Sequence, residues 1–463
     1  MDYDVIVVGA GAAGMAAAIE AADFGARVLL VDAAKQPGGA TALSGGVVYA
    51  AGTSIQRNRG IVDSSDAMYS YYMALNQFKL EPALIKIFCD QSASVLDWLG
   101  TLGVEFPDDN LYQSGVDGSF RGHRAKGYGA AIAQALEGAL SQRKVDIATN
   151  TRIRRLVQDK NNGRVSGVFF EGNEIQANSV ILTTGGFGAN VQMRAQLFAD
   201  VSDAGARAWY VGPKECVGDG IAMAQSVGAA LTGLNRGLLL VTPGFAKDFE
   251  TYLPGWLLYV SREGRRFVNE TIAYAVFARI VSDLPGKECF AIFDERSREN
   301  AKGAPPSVGN PWSNPMWNAE SLAQLTEKGL IRRANTLHEL AEIIGVDPLA
   351  LTHTVADYNH DVMLGKDSVF FKKPEFLRSV STPPYYAVSL RPDMICITGA
   401  GIRINARTEV VDQTGAVIPG LYAAGETVGG VFGDSYLGGG NAITSAIVFG
   451  RIAGSRAASF LKE

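Results

Sequence analysis

The chain has little of what metal centres and disulfide frameworks are built from. Its four cysteines, Cys89, Cys216, Cys289 and Cys396, are scattered without a CxxC spacing. That excludes a zinc ribbon or a stapled scaffold and fits free, mostly buried thiols in a reducing compartment. Only four histidines occur, His123, His338, His353 and His360, none at i, i+4 spacing with a second ligand, so no metal is expected. No run of five or more basic residues is present, and 42 Lys plus Arg against 47 Asp plus Glu leave a net charge of −5. Nucleic acid is excluded as a partner on that balance. No eighteen consecutive apolar residues occur, which argues against a transmembrane segment. A CxxCH haem signature, an internal repeat and a low-complexity tract are missing too. The apolar start "VIVVGAGAAGMAAAI" carries Asp2 and Asp4 where a secretion signal has basic residues, so a cytoplasmic location is the expectation.

What is present is a large apolar content. With 463 residues, 47% apolar and 19% charged, the chain can bury a sizeable core and divide into two or three domains. "DVIVV" (residues 4 to 8) reads as a buried parallel strand, and "GAGAAG" follows it at once, with Gly9, Gly11 and Gly14 in GxGxxG spacing. The first glycine permits the tight turn, the second lets backbone approach a pyrophosphate, and the third lets helix and strand pack closely. Ala13 lies inside this turn. The helix through "MAAAIEAADFG" presents its positive N-terminal end to phosphate. A second strand, "ARVLLVD", ends at Asp32, eighteen residues beyond Gly14, where a carboxylate accepts hydrogen bonds from ribose hydroxyls.

A terminal Asp suits NAD or FAD equally. Three further glycine-rich segments favour FAD, a ligand too long for one βαβ unit. "QPGGATALSGG" (36 to 46) contains Gly39, Ala40, Thr41, Ser44, Gly45 and Gly46. "SVILTTGGFGAN" (179 to 190) is a strand running into Thr184 and Gly185, and "GLYAAGETVGG" (420 to 430) ends a short strand at Gly425 and Glu426.

These segments resemble the fumarate reductase and 3-ketosteroid dehydrogenase superfamily of FAD-dependent flavoproteins, over nearly the whole chain. The resemblance implies an α/β fold: a Rossmann-like, glutathione-reductase-type FAD-binding domain built from both chain ends, 1–230 and 370–463, with an inserted α+β cap, 231–369. "VGDGIAMAQSVGAAL" (217 to 231) and "SREGRRFVNE" (261 to 270) match the family pattern; by composition alone the latter reads as a solvated turn between two strands. Within the cap, helices are expected in "SLAQLTEKGLI", in "TLHELAEIIG" after Asn335 or Thr336, and in the stretch that Asp347 caps, Pro348 opens and Gly365 ends. The chain is expected to return through "STPPYYAVSL".

Within the family, fumarate reductases carry arginines that donate a proton and grip a carboxylate, since a buried dicarboxylate needs paired cations. Here Tyr274, in "FVNETIAY", stands at the first of those positions and Tyr436, in "GDSYLGGGNA", at the second. "CITGAG" (396 to 401) lacks the family's histidine. Both tyrosines match the 3-ketosteroid dehydrogenases instead. That resemblance implies Tyr274 as the base, and Tyr436 with the amide of Gly440 as the clamp on a ketone oxygen. Tyr112 is the second tyrosine that assists the base, and Asn441 and Ala442 join the FAD contacts. The activity implied is desaturation of a steroid-like, apolar ketone at the 1,2 or 4,5 positions, with an external quinone or soluble carrier as electron acceptor. The alternative is an enoate reductase or dehydrogenase of the fumarate reductase kind acting on an unsaturated acid; Arg121, His123 and Arg124 in "FRGHRAKGYG" keep that reading open as an anion site.

Overall fold

Val5, Ile6, Val7 and Val8 are buried, and so are Val28 to Val31, Val180, Ile181 and Leu182. Strands apolar on both faces belong in a parallel sheet covered from both sides, and that is where they lie. A computed structural model of the chain describes residues 1–114, 116–202, 207–245, 253–302 and 317–462. It divides into two compact units, Met1–Gly205 with Gly212–Leu238 and Cys396–Glu463, and Ala206–Val211 with Leu239–Ile395.

The first unit is built on a sheet in the order Glu409–Val411, Val417–Ala423, Asn173–Leu182, Tyr3–Val8, Val28–Val31 and Val145–Ala148. All neighbours along it are parallel except the edge strand Glu409–Val411. Asn173–Leu182 is long enough to pair antiparallel with Val165–Phe170 before it joins the parallel core. The helices Ala12–Asp23 and Asn441–Ala457 pack closely where glycine permits. A methyl group on Gly450 would sit 2.4 Å from the Ala13 carbonyl oxygen, and one on Gly454 2.2 Å from that of Ala17. Chain start and chain end are thereby locked together. A small antiparallel sheet of Val47–Tyr49, Gly122–Arg124 and Leu111–Tyr112 completes the part of this unit that concerns the site.

The second unit is centred on the fourteen-residue strand Tyr385–Thr398, which pairs antiparallel with Cys289–Asp294 and Arg332–Ala334 and parallel with Trp209–Tyr210. The expected domain limit near residue 370 therefore differs from the observed one, because residues 370–395 belong to the strand and loops of this sheet. The cap helices form as Ala319–Glu327, Leu337–Ile344 and Pro348–Met363, and Asn318, Thr336 and Asp347 cap them through their side chains. "SREGRRFVNE" begins as a turn after the strand Leu258–Ser261, and Arg266 bridges back to Val260. Among the described residues no helix is long and apolar enough to cross a membrane.

Candidate active site

The strand Tyr3–Val8 delivers Gly9 at φ 109°, a conformation side chains avoid, and a methyl group there would lie 2.3 Å from the Thr183 carbonyl oxygen. Gly11 caps the helix Ala12–Asp23, and nothing lies within 4 Å of where its side chain would be, so the helix N-terminus is open to a ligand. A methyl on Gly14 would sit 1.7 Å from the Gly9 carbonyl oxygen. Asp32, past the end of Val28–Val31, is pinned by the N–H groups of Ala10 (2.5 Å) and Ala34 (2.6 Å).

The other glycine-rich segments meet this turn. Gly39 opens the short helix Gly39–Leu43, which contains Ala40 and Thr41, and its side-chain position lies 3.4 Å from Gly11 Cα. Ser44 donates to the Thr41 carbonyl at 2.7 Å and accepts from Gly46 N–H at 3.3 Å, which fixes the turn through Gly45. Gly425, at φ 78°, abuts Ala13, and Thr184 Oγ1 accepts from Gly220 N–H at 3.1 Å next to Gly185. Glu426 is part-buried, and one carboxyl oxygen accepts from Thr398 N–H (2.8 Å) and Oγ1 (2.9 Å); desolvation raises its pKa despite those bonds.

Asn441 tests whether these residues suit FAD. It is fully buried at the first turn of Asn441–Ala457, and among the described residues neither Nδ2 nor Oδ1 has a hydrogen-bond partner. A buried amide left so costs about 1–3 kcal/mol, which a ligand edge offering both a donor and an acceptor recovers. The isoalloxazine system is such an edge, and the residues fit the cofactor.

Tyr436 enters the same helix start. Its hydroxyl accepts from Ala442 N–H at 3.4 Å, and burial holds its pKa well above the ordinary tyrosine value, so it remains a neutral donor. Gly440 is the helix N-cap at φ 114°, and a side chain there would strike Tyr49 N and the Val47 carbonyl. Tyr112 stands on Leu111–Tyr112, part-buried and raised in pKa by desolvation, with the Arg124 guanidinium 5.0 Å over its ring. Two residues further on, Ser114 Oγ donates to the Gly439 carbonyl at 2.9 Å. Tyr112, Tyr436, Gly440, Asn441 and Ala442 are thus gathered in the first unit. Tyr274 lies in the second unit, part-buried, as the first residue of the helix Tyr274–Asp283.

Residues without any sequence signal hold the Tyr436 loop. On the helix Ser65–Leu75, Tyr71 donates to the Leu437 carbonyl (2.9 Å) and Tyr72 to that of Val431 (2.7 Å), and Asn76 at its C-cap accepts from Ser435 N–H (3.0 Å). Of the three residues considered for an anion site, Arg121 and His123 are internally satisfied, whereas Arg124 Nε is buried and has no hydrogen-bond partner among the described residues. Arg121, 2% exposed, grips both oxygens of Asp63 at 2.8 Å and also meets Asp117 at 2.6 Å. His123 bonds Thr53 Oγ1 and the Arg121 carbonyl, both at 2.9 Å, and burial lowers its pKa to about 4, which keeps it neutral.

The FAD binding domain family matches residues 4–443. A fumarate reductase (cytochrome) of Shewanella frigidimarina is 33% identical over 476 residues, 99% of this chain and 78% of that one. A vinyl phenol reductase of Lactiplantibacillus plantarum is 30% identical over 490 residues, 100% of this chain and 97% of that one. The solved 3-ketosteroid Δ4-(5α)-dehydrogenase of Rhodococcus jostii superimposes with a TM-score of 0.80 at 27% identity, over 98% of this chain and 96% of that chain.

Proposed function

The chain belongs to the FAD binding domain family of fumarate reductase-type flavoproteins, an FAD-dependent oxidoreductase by that membership, and from this premise we propose that it reduces a carbon–carbon double bond conjugated to a neutral carbonyl. The comparisons favour the alternative, an enoate reductase of the fumarate reductase kind, over steroid desaturation, since the reductases stand at 33% and 30% identity and the steroid enzyme at 27%; the neutral carbonyl rests on the site. The observation that carries the neutral substrate is the pairing of Arg121 with two carboxylates while Tyr436, part-buried and held protonated, stands at the helix start. An arginine so paired has little charge left for a substrate carboxylate.

FAD, when bound, supplies the two-electron chemistry. Tyr436 donates to the carbonyl oxygen and stabilises the negative charge that develops there, a contribution of about 3–4 kcal/mol for a preorganised donor. Gly9, Gly11 and the helix behind them would hold the pyrophosphate, and Asn441 would answer the flavin edge. Tyr274, by its sequence pattern, is the residue that exchanges the proton on the carbon next to the carbonyl. Electrons arrive from an external carrier.

A second reading, desaturation of a steroid-like ketone, is favoured by the presence of tyrosine at both positions 274 and 436 and by the TM-score of 0.80. The two directions separate in one experiment. Chemically reduced protein is mixed anaerobically with 4-androstene-3,17-dione, 4-vinylphenol or fumarate, and flavin absorbance is followed. Reoxidation by 4-androstene-3,17-dione supports the proposal, reoxidation by 4-vinylphenol alone contradicts the carbonyl clamp, and reoxidation by fumarate alone assigns the unsaturated acid. Bleaching of the oxidised protein by a saturated ketosteroid would establish the dehydrogenase.

A further inference from the structure

After the helix Pro348–Met363 the second unit places four large apolar side chains in solvent: Met363 at 79% exposure, Leu364 at 66%, Val369 at 63% and Phe371 at 74%. Single exposed apolar residues are ordinary, but four at the end of this helix and in the short loop after it mark an interaction surface. The loop is anchored from beneath. Buried Asp367 accepts from the N–H groups of Val369 (3.1 Å), Phe370 (3.0 Å) and Lys372 (2.9 Å) and pairs with Arg266 at 2.6 Å. Asp361 accepts from Ser368 N–H (2.8 Å) and Oγ (2.9 Å), which ties the loop back to the helix beside Met363. Asn269 donates to the Phe370 carbonyl, and buried Lys372 donates to that of Leu257. Phe371 sits between these anchors at φ 57°, a region that bulky residues avoid. A slack loop would relax and turn the ring inward, so the packing beneath holds it outward.

The charges around the loop indicate what it meets. Lys366, Lys373 and Arg378 are exposed, and Glu375 is the one exposed carboxylate between residues 360 and 378, since Asp361 and Asp367 are buried and bonded. This is a basic rim on a chain of net charge −5. Exposed apolar side chains with long exposed cationic ones in the same loop and just after it match a deformable anionic interface. A second copy would set these cations against each other. We propose that the loop 363–373 docks the protein peripherally on an anionic membrane. Met363, Leu364, Val369 and Phe371 enter the headgroup layer, and Lys366, Lys373 and Arg378 pair with lipid phosphates.

The test is co-sedimentation of the FAD-loaded protein with vesicles of pure phosphatidylcholine or of phosphatidylcholine and phosphatidylglycerol in equal parts. The expected result is sedimentation with the anionic vesicles and release at about 0.5 M salt. The double variant Val369→Ser with Phe371→Ser binds at least about tenfold more weakly, and Lys366→Glu with Lys373→Glu loses the preference for phosphatidylglycerol. Flavin content and melting temperature of the variants establish that the fold is retained. Absence of binding to anionic vesicles overturns the proposal, as does binding that both variants leave unchanged. A concentration-dependent dimer in sedimentation velocity that the serine variant dissolves also overturns it, by assigning the surface to a second copy.

Discussion

The Tyr71 hydroxyl donates to the Leu437 carbonyl at 2.9 Å, one residue beyond Tyr436. Burial raises the Tyr71 pKa to about 12, so the donor persists throughout the working pH range. The same oxygen accepts from Val116 N–H at 3.1 Å, and the Arg121 guanidinium lies 5.6 Å over the ring. Tyr71 is therefore a positioning residue for the Tyr436 loop. Tyr71→Phe removes a bond of about 1 kcal/mol, and the rate of flavin reoxidation by substrate is expected to fall roughly three- to tenfold with FAD content unchanged. Stopped-flow absorbance checks this.

Gly14 carries the packing of the first helix on the first strand. Its replacement by Ala places a methyl 1.7 Å from a carbonyl oxygen, so backbone must move in the turn that receives the pyrophosphate. Gly14→Ala is expected to yield protein without bound FAD, measured as the ratio of flavin to protein absorbance. Gly11→Ala, with open space around its side-chain position, is expected to fold normally and to weaken FAD binding only through contact with the ligand.

Arg121 is an internal tie, and its loss should appear in stability before it appears in chemistry. Arg121→Met leaves Asp63, 4% exposed in its side chain, without its partner, at an expected cost of about 3–5 kcal/mol. Burial raises the Asp63 pKa, but the Arg121 hydrogen bonds and charge outweigh it and the net shift is downward. A depressed carboxylate stabilises the fold above its unfolded pKa and loses that contribution as pH falls through the folded one. Urea unfolding of Arg121→Met near neutrality, compared with the parent, reads the loss.

His123 gives the opposite group the same pH sense. Its folded pKa of about 4 lies below the ordinary value near 6.5, so between those values the unfolded chain binds the proton and the folded chain does not. Stability falls as pH is lowered through that window, by about 2 kcal/mol from this group between pH 7 and pH 5. Urea midpoints at the two pH values, in the parent and in His123→Gln, measure it; the variant should show the smaller difference.

The nucleotide-binding half was legible because its signals are local. Gly9, Gly11, Gly14 and Asp32 lie within one strand–helix–strand unit, and each spacing has a steric or hydrogen-bonding cause visible in the residues themselves. The cap helices were legible through Asp347, Pro348 and Thr336 for the same reason. Tyr71, Tyr72 and Asn76 were not, since their partners lie some 360 residues away along the chain and nothing in "YSYYMALN" marks which hydroxyl faces which carbonyl. At 121–124 composition could not separate the three groups: Asp63 and Asp117 occupy Arg121 and Thr53 meets His123, while Arg124 Nε is left without a partner among the described residues. The long strand Tyr385–Thr398 hid its domain membership behind a glycine-rich sequel that belongs to the other unit.

The most direct test of the account is Tyr436→Phe in the FAD-loaded protein, assayed by anaerobic reoxidation of the reduced flavin with a neutral enone and with fumarate. The account predicts that the neutral compound reoxidises the parent, that fumarate does not, and that the variant retains FAD but reacts about 10²- to 10³-fold more slowly. Reoxidation of the parent by fumarate alone, or an undiminished rate in the variant, would contradict it.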